Sequence, residues 1–313
     1  SSILFHTRSR ANEAASASKI TSKEGYELGI VDVMVPEPEG PAHRFKEAAI
    51  TSLQNEIIKG IIKLRAAPKN KLMSCRVERW ANIGHWEVTT NKHVNSIQRE
   101  VSRLPVPNSD GYLKRHRGCY DSLGVHKYDP VRFDILKNNG FVCETCGFRY
   151  TRPSIWDCMN NLFDDNSFEE HSETKFIVDK DILGFPDYKE KIISAQKRTG
   201  LMTSMITGNA KIKDIDIVFA GADFGFFGAS FCMTTGEKIW QAAEVAIRDK
   251  KPLILQAAGG GARMHEGCSS MVSIPKAHVA ITRVEKAGLP VITIISDPTL
   301  GGVAIGYGSR GKR

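Results

Sequence analysis

The chain has 313 residues with 41% hydrophobic side chains, enough for about two domains with buried cores. Its seven scattered cysteines exclude a disulfide-dense secreted scaffold and suit a reducing compartment, and no run reaches the roughly 18 apolar residues of a membrane span. The net charge of +8 is uneven: residues 51–118 hold 13 Lys and Arg against 5 Asp and Glu, which is +8, so the rest is near neutral. Such a segment suits nucleic acid, CoA phosphates or an acidic protein, or is simply a solvated face.

In chain order, residues 1–110 read as an N-terminal arm and basic extension with one amphipathic helix. The first stretch, "SSILFHTRSRANEAASASKITSK", is rich in Ser and Ala with Arg8 and Arg10 among its few charges. It resembles the remnant of a cleaved transit peptide, which implies the plastid stroma or the mitochondrial matrix. Residues 1–43 read as extended, closing on "VPEPEGPAH". From Arg44 to Ala67, Ile50, Leu53, Ile57, Ile61 and Leu64 share one helical face, and Pro68 ends the helix. Short strands are expected around "HWEVTT".

Residues 111–162 form a zinc-ribbon-like segment. His116 and Cys119, then Cys143 and Cys146, give H-x2-C-x23-C-x2-C. Two half-sites of this spacing can close a tetrahedral structural Zn2+. His126 or Cys158 are alternative fourth ligands, and Cys143 with Cys146 alone could be a redox pair. A decayed ribbon held by packing is the other reading.

Residues 163–313 open with a polar linker and a helix in "FPDYKEKIISAQKRTG" that ends at Gly200. Then "DIDIVFAGADF" reads as a strand, "TTGEKIWQAAEVAIRDK" as a helix and "KPLILQAAG" as a buried strand. "ARMHEGCSSMVSIPKAHVAITRVEKAG" follows as a helix that Pro275 should kink, and "LPVITIISD" as another buried strand. This alternation predicts an α/β domain with a largely parallel layer. Two strands run into glycine turns, "ILQAAGGGARMHEG" and "IISDPTLGGV". Backbone N–H groups on such turns cradle phosphate or stabilise an oxyanion. No Gly-Lys-Ser/Thr and no dinucleotide fingerprint is present, which leaves oxyanion chemistry or close strand–helix packing.

The runs "YKEKIISAQKRTGL", "ADFGFFGASFCMTTGEKI", "PLILQAAGGGARMHEG" and "ISDPTLGGV" resemble the beta subunit of bacterial and plastid acetyl-CoA carboxylase carboxyltransferase, over about residues 116–306. The resemblance implies a crotonase-like fold of ββα repeats, here incomplete at the C-terminus. It implies acetyl-CoA and carboxybiotin as substrates and carboxyl transfer to give malonyl-CoA. Gly301 and Gly302 match the oxyanion turn through their backbone N–H groups. Gly260, Gly261, Ala262 and Arg263 match the turn lining the acyl-CoA pocket. The implied partners are an alpha carboxyltransferase subunit, a biotin carboxyl carrier and a biotin carboxylase, with the chain inactive alone.

Several positions depart from the family pattern. Ala229 and Phe231 to Met233 alter a glycine-rich run, His265 stands for a Gln, Gly259 for a Ser and Pro275 for an apolar residue. Side chains filling glycine positions should crowd a ligand. Together with the basic N-terminal extension, these departures support an alternative reading. In it the chain is a non-catalytic structural subunit in an organellar complex, a ribosome with its rRNA or a respiratory assembly.

Overall fold

The computed structural model describes residues 2–5, 7–38, 40–88, 109–113, 119–121, 123–127, 129–139, 141–150, 152 and 154–311. His116 lies outside them.

The expected N-terminal arm is not extended. Short helices form at Ala11–Ala17 and Ser22–Glu27, the second with a capping box in which Thr21 and Glu24 exchange hydrogen bonds. Leu4 and Ala14 are buried, Leu4 joins a core cluster with Ile155 and Phe185, and Phe5 stacks on Phe185 at 5.5 Å. Apolar side chains near the start thus have a partner surface, and composition alone could not reveal that.

Helix α1 (Lys46–Ala66) matches the expected helix, and Ala67 turns extended ahead of Pro68. No residue of α1 is buried, and Ile50, Leu53, Ile57 and Ile61 stay exposed. Helix α2 (Lys69–Asn82) leads to β1 (Trp86–Val88), the strand expected in "HWEVTT". Helix α3 (Ile155–Leu162), placed by its position within the Cys/His segment, sends Ile155 and Met159 into the core of the following domain.

That domain is built on a sheet with strand order β2 (Glu169–Glu170), β4 (Met205–Ile212), β5 (Ile215–Ala222), β6 (Leu253–Gly259) and β7 (Val291–Thr299). Strand β3 (Ile177–Asp179) pairs separately with β1. The pairs β2/β4 and β4/β5 are antiparallel, whereas β5/β6 and β6/β7 are parallel. Strand β4 was not expected from the sequence. It meets β5 through Lys213 and Asp214, both at positive φ, a hairpin turn without the usual Asn-Gly signal.

Helix α4 (Tyr188–Thr199) ends at Gly200 in the left-handed conformation, as its glycine suggests. Helices α5 (Met233–Asp249) and α6 (Cys268–Lys286) connect the parallel strands and pack on each other. The second begins later than its sequence suggests, after a break at Gly267, and runs through Pro275. All seven residues of β6 are buried, as expected of a strand covered on both faces. Leu253 and Leu255 are fully inaccessible, each worth roughly 1.5–3 kcal/mol of burial.

Candidate functional site

Three turns meet beyond the carboxyl ends of the parallel strands. The Gly260 N–H donates to the Gly228 carbonyl at 2.9 Å, the Phe231 N–H to Gly261 at 2.6 Å, and the Arg263 N–H to Phe231 at 2.7 Å. From the other side, the Leu300 N–H donates to the Gly259 carbonyl at 2.9 Å. The structure therefore brings both glycine turns of the sequence together, with residues 228–231 as a third wall.

Their contact is backbone to backbone. A Cβ on Gly302 would lie 3.0 Å from the Ala262 nitrogen, and one on Gly301 3.3 Å from the Gly261 Cα. Gly301 also has φ near +48°, which favours glycine. Gly301 and Gly302 open a short helical segment, Gly301–Val303, where first-turn N–H groups lack intrahelical acceptors. Among the described residues, the Gly301, Gly302, Gly261 and Ala262 N–H groups donate to no protein acceptor. Of these four, Gly301 is exposed and Gly302 and Ala262 are half-buried, so their N–H groups border solvent, whereas Gly261 is buried.

Arg263 belongs to the turn, but its side chain does not. The guanidinium is turned into the core, 1% exposed, and donates to Asp179 at 2.8 Å, to the Tyr188 hydroxyl at 3.0 Å and to the Ser230 hydroxyl at 2.6 Å. Glu266 accepts from the Tyr188 hydroxyl at 3.0 Å and from the Met233 N–H at 2.9 Å, where α5 begins. A carboxylate there also meets the positive end of the helix dipole. Burial raises the Glu266 carboxyl to about 7, helped by the Asp179 charge and opposed by Arg263. Burial likewise pushes Cys232 up to about 11. Asp179, Tyr188, Ser230 and Glu266 went unnoticed in the sequence. The one available signal was an arginine in a tight turn, which needs a buried acid when it cannot reach water.

At the two filled glycine positions, the Ala229 and Cys232 side chains are buried in the core instead of lying over the turns. The neighbouring Phe231 is also fully buried and packs against Tyr307 at 6.0 Å between centroids. A Cβ on Gly306 would meet the Phe231 ring at 2.8 Å, so a later glycine makes room for it. Gly259 also fits its place, since a Cβ there would lie 2.4 Å from the Ala229 carbonyl oxygen.

In the Cys/His segment, the Cys119, Cys143 and Cys146 sulfurs lie within 4.8 Å of one another, Cys119 and Cys143 at 3.7 Å. Sulfurs at the corners of a tetrahedron around Zn2+ at about 2.3 Å are about 3.8 Å apart, so these thiols fit such an ion. Neither His126 nor Cys158 joins the group among the described residues.

A family model described as "Carboxyl transferase domain" matches residues 155–310. Another, "Acetyl co-enzyme A carboxylase carboxyltransferase-like", matches residues 1–84. The acetyl-coenzyme A carboxylase carboxyl transferase subunit beta of Mesorhizobium japonicum is 35% identical over 219 residues, 67% of this chain and 70% of that protein. The chain belongs to the acetyl-CoA carboxylase carboxyltransferase beta family.

The beta subunit of Heliobacterium modesticaldum is 39% identical over 56% of this chain and 65% of its own length. The "subunits beta/alpha" protein of Saccharopolyspora erythraea is 37% identical over 56% of this chain and 31% of its own length. This carboxyltransferase-family chain thus spans less than two thirds of those two relatives. Among solved structures, the transcarboxylase 12S hexamer aligns at 23% identity, covering 55% of this chain and 29% of that one, with a TM-score of 0.43. A Pseudomonas malonate decarboxylase hetero-dimer aligns at 20% identity over 50% and 59%, with a TM-score of 0.37.

The match over residues 1–84 bears on the N-terminal extension. That segment, including its Ser- and Ala-rich start, resembles a carboxyltransferase family and is not foreign to one. One support of the organellar structural reading is thereby removed.

Proposed function

We propose that this chain carries out the carboxyltransferase step of an acetyl-CoA carboxylase, moving a carboxyl group from carboxybiotin to the methyl carbon of acetyl-CoA. The observation that carries this reading is the convergence of two glycine turns with unengaged N–H groups at Gly301 and Gly302. In the reaction the acetyl methyl loses a proton and an enolate oxygen develops. A carbon–carbon bond then forms to the carboxyl carbon as its bond to the biotin nitrogen breaks, and that nitrogen takes up a proton. Fixed backbone donors stabilise the enolate oxygen without reorganising, and removing one such donor costs about 10²–10³ in rate in acyl-transfer enzymes.

The Gly261 and Ala262 N–H groups, beside Gly260, would border the acyl-CoA pocket, with Arg263 holding the turn from behind. The partners implied by the family are an alpha carboxyltransferase subunit, a biotin carboxyl carrier and a biotin carboxylase.

The test is Gly302→Val. Its side chain would meet Ala262 backbone atoms at 3.0–3.3 Å, so the two turns must separate. Carboxyl transfer by the assembled complex should fall at least a hundredfold while assembly is retained. Unchanged transfer would sink the assignment.

The thiols of Cys119, Cys143 and Cys146 would hold a structural Zn2+ with a fourth ligand, His116 by spacing. Its role there is folding, since closed four-coordinate sites leave no position for substrate. Metal analysis of the purified chain should find about one zinc per chain, lost in Cys143→Ser; a metal-free folded protein would show that the cluster holds by packing.

A further inference from the structure

A second feature sits at the carboxyl ends of the parallel strands, apart from the glycine turns. A cavity of about 230 Å³ has a floor that includes Ala222 of β5, Gln256 of β6, and Ser296 and Asp297 of β7. Crevices beyond the carboxyl ends of parallel strands are the usual ligand sites of open α/β sheets. Its other wall comes from the cysteine-rich segment, which contributes Arg149 and Arg152.

The floor is largely committed. Gln256 accepts from the Ala222 N–H at 2.9 Å and donates to the Ser296 hydroxyl at 2.9 Å. The wall is held in place: the Tyr150 N–H donates to Phe141 at 2.8 Å, the Cys143 N–H to Phe148 at 2.7 Å, and the Arg152 guanidinium lies 4.5 Å from the Phe224 ring centroid. Both arginines are exposed at the rim. Among the described residues, the cavity sets one carboxylate, that of Asp297, against two guanidinium groups.

We propose that Arg149 and Arg152 form a subsite for a ligand oxyanion, a phosphate or a carboxylate. Guanidinium groups pair with such groups through two parallel N–H donors. Asp297 opposite them favours a ligand with an N–H donor near its anion. The floor joins both glycine turns through the chain, since Ala258 precedes Gly259 and Asp297 lies four residues before Gly301. Within the carboxyltransferase reading, on which the choice of ligand rests, the anion is a CoA phosphate or the carboxylate of the malonyl group. The cysteine-rich segment then has a binding role besides its fold.

The test is calorimetric titration of the full chain, in its native assembly, with coenzyme A, pantetheine and malonate. In the doubly substituted Arg149→Gln/Arg152→Gln protein, binding of coenzyme A or malonate should weaken at least tenfold, with pantetheine unchanged and the melting temperature retained. A loss confined to coenzyme A identifies phosphate, and one confined to malonate identifies carboxylate. The wild-type affinity should also fall with added salt more steeply than that of the variant. Wild-type affinity for both anions in the variant, or no binding of either by the wild type, overturns the subsite. Gly302→Val separates the two readings. An active wild type with an unaffected Arg149→Gln/Arg152→Gln variant loses the subsite alone. Charge-dependent binding by a protein without carboxyl transfer loses the carboxyltransferase reading alone.

Discussion

His265 and Glu266 are neighbours in the chain whose protonation acts in opposite directions. His265 lies in an aromatic box, stacked on Tyr188 at 4.8 Å and edge-on to Phe185 and Phe227 at 5.2 and 5.3 Å. Burial, with the Arg263 and Lys191 charges, lowers it to about 4 from an ordinary 6.5. Its stabilising contribution is therefore complete above pH 6.5 and is lost as pH falls through about 4. Glu266 is raised from 4.5 to about 7, so its contribution is complete below pH 4.5 and is lost as pH rises through about 7. The two windows overlap and partly cancel. His265→Gln removes the acid-side loss, and the variant should gain stability at pH 5 relative to pH 7.5 when compared with the wild type. Urea midpoints at the two pH values measure this, and a difference between the proteins that does not change with pH would refute the assignment to His265.

At the scale of elements, α5 and α6 approach closely because Gly236 faces Ser273. A Cβ on Gly236 would come 2.0 Å from the Ser273 Oγ and 2.9 Å from its carbonyl oxygen. Gly236→Ala should therefore destabilise the protein by about 1–3 kcal/mol, the usual cost of overpacking, despite the better helix propensity of alanine. Adding Ser273→Ala clears the nearer contact but not the carbonyl, so it should restore part of the loss in denaturant unfolding. An additive double variant would mean that the helices do not meet there. The same elements show what was legible. Helices α4 and α5 carry clear periodicity and stops, strands β5 and β6 read as apolar runs, and both glycine turns announce themselves by composition. Strand β7, expected as a buried strand, lies at the sheet edge with only Val291 buried. Strand β4, "MITGNAKI", has glycine and polar residues in its middle and a hairpin turn of Lys and Asp, so nothing local marks it. The buried partners of Arg263 were hidden for another reason: Asp179, Tyr188 and Ser230 lie 84, 75 and 33 residues before it in the chain, and only the tertiary fold brings them to one guanidinium.

At the scale of the molecule, the N-terminal third was the least legible part, because what orders it lies elsewhere in the chain. Its anchor is Lys276 of α6, fully buried. The ammonium donates to the Ala81 carbonyl at 2.8 Å and the Ile83 carbonyl at 3.0 Å, pairs with Glu237 of α5, and lies 4.6 Å from the Trp86 ring centroid. Val77 and Ala81 add apolar contact with the core. Burial lowers the affinity of this lysine for its proton and Glu237 restores part of it, so the ion pair and the two carbonyls together hold the charge inside. Lys276→Met leaves Glu237 buried without its cation and two carbonyls without a donor. Breaking a buried pair in this way costs about 3–5 kcal/mol. The loss should appear first at the joint between α2 and β1, as faster limited proteolysis within residues 83–88, before the sheet domain opens. Adding Glu237→Leu removes the orphaned charge and should recover much of the stability of the sheet domain, since apolar replacement of a buried pair is often neutral. It cannot restore a donor to Ala81 and Ile83, so cleavage at the joint should remain fast. Joint recovery of both measures would show that the lysine acts only through Glu237 and does not tether the N-terminal segment.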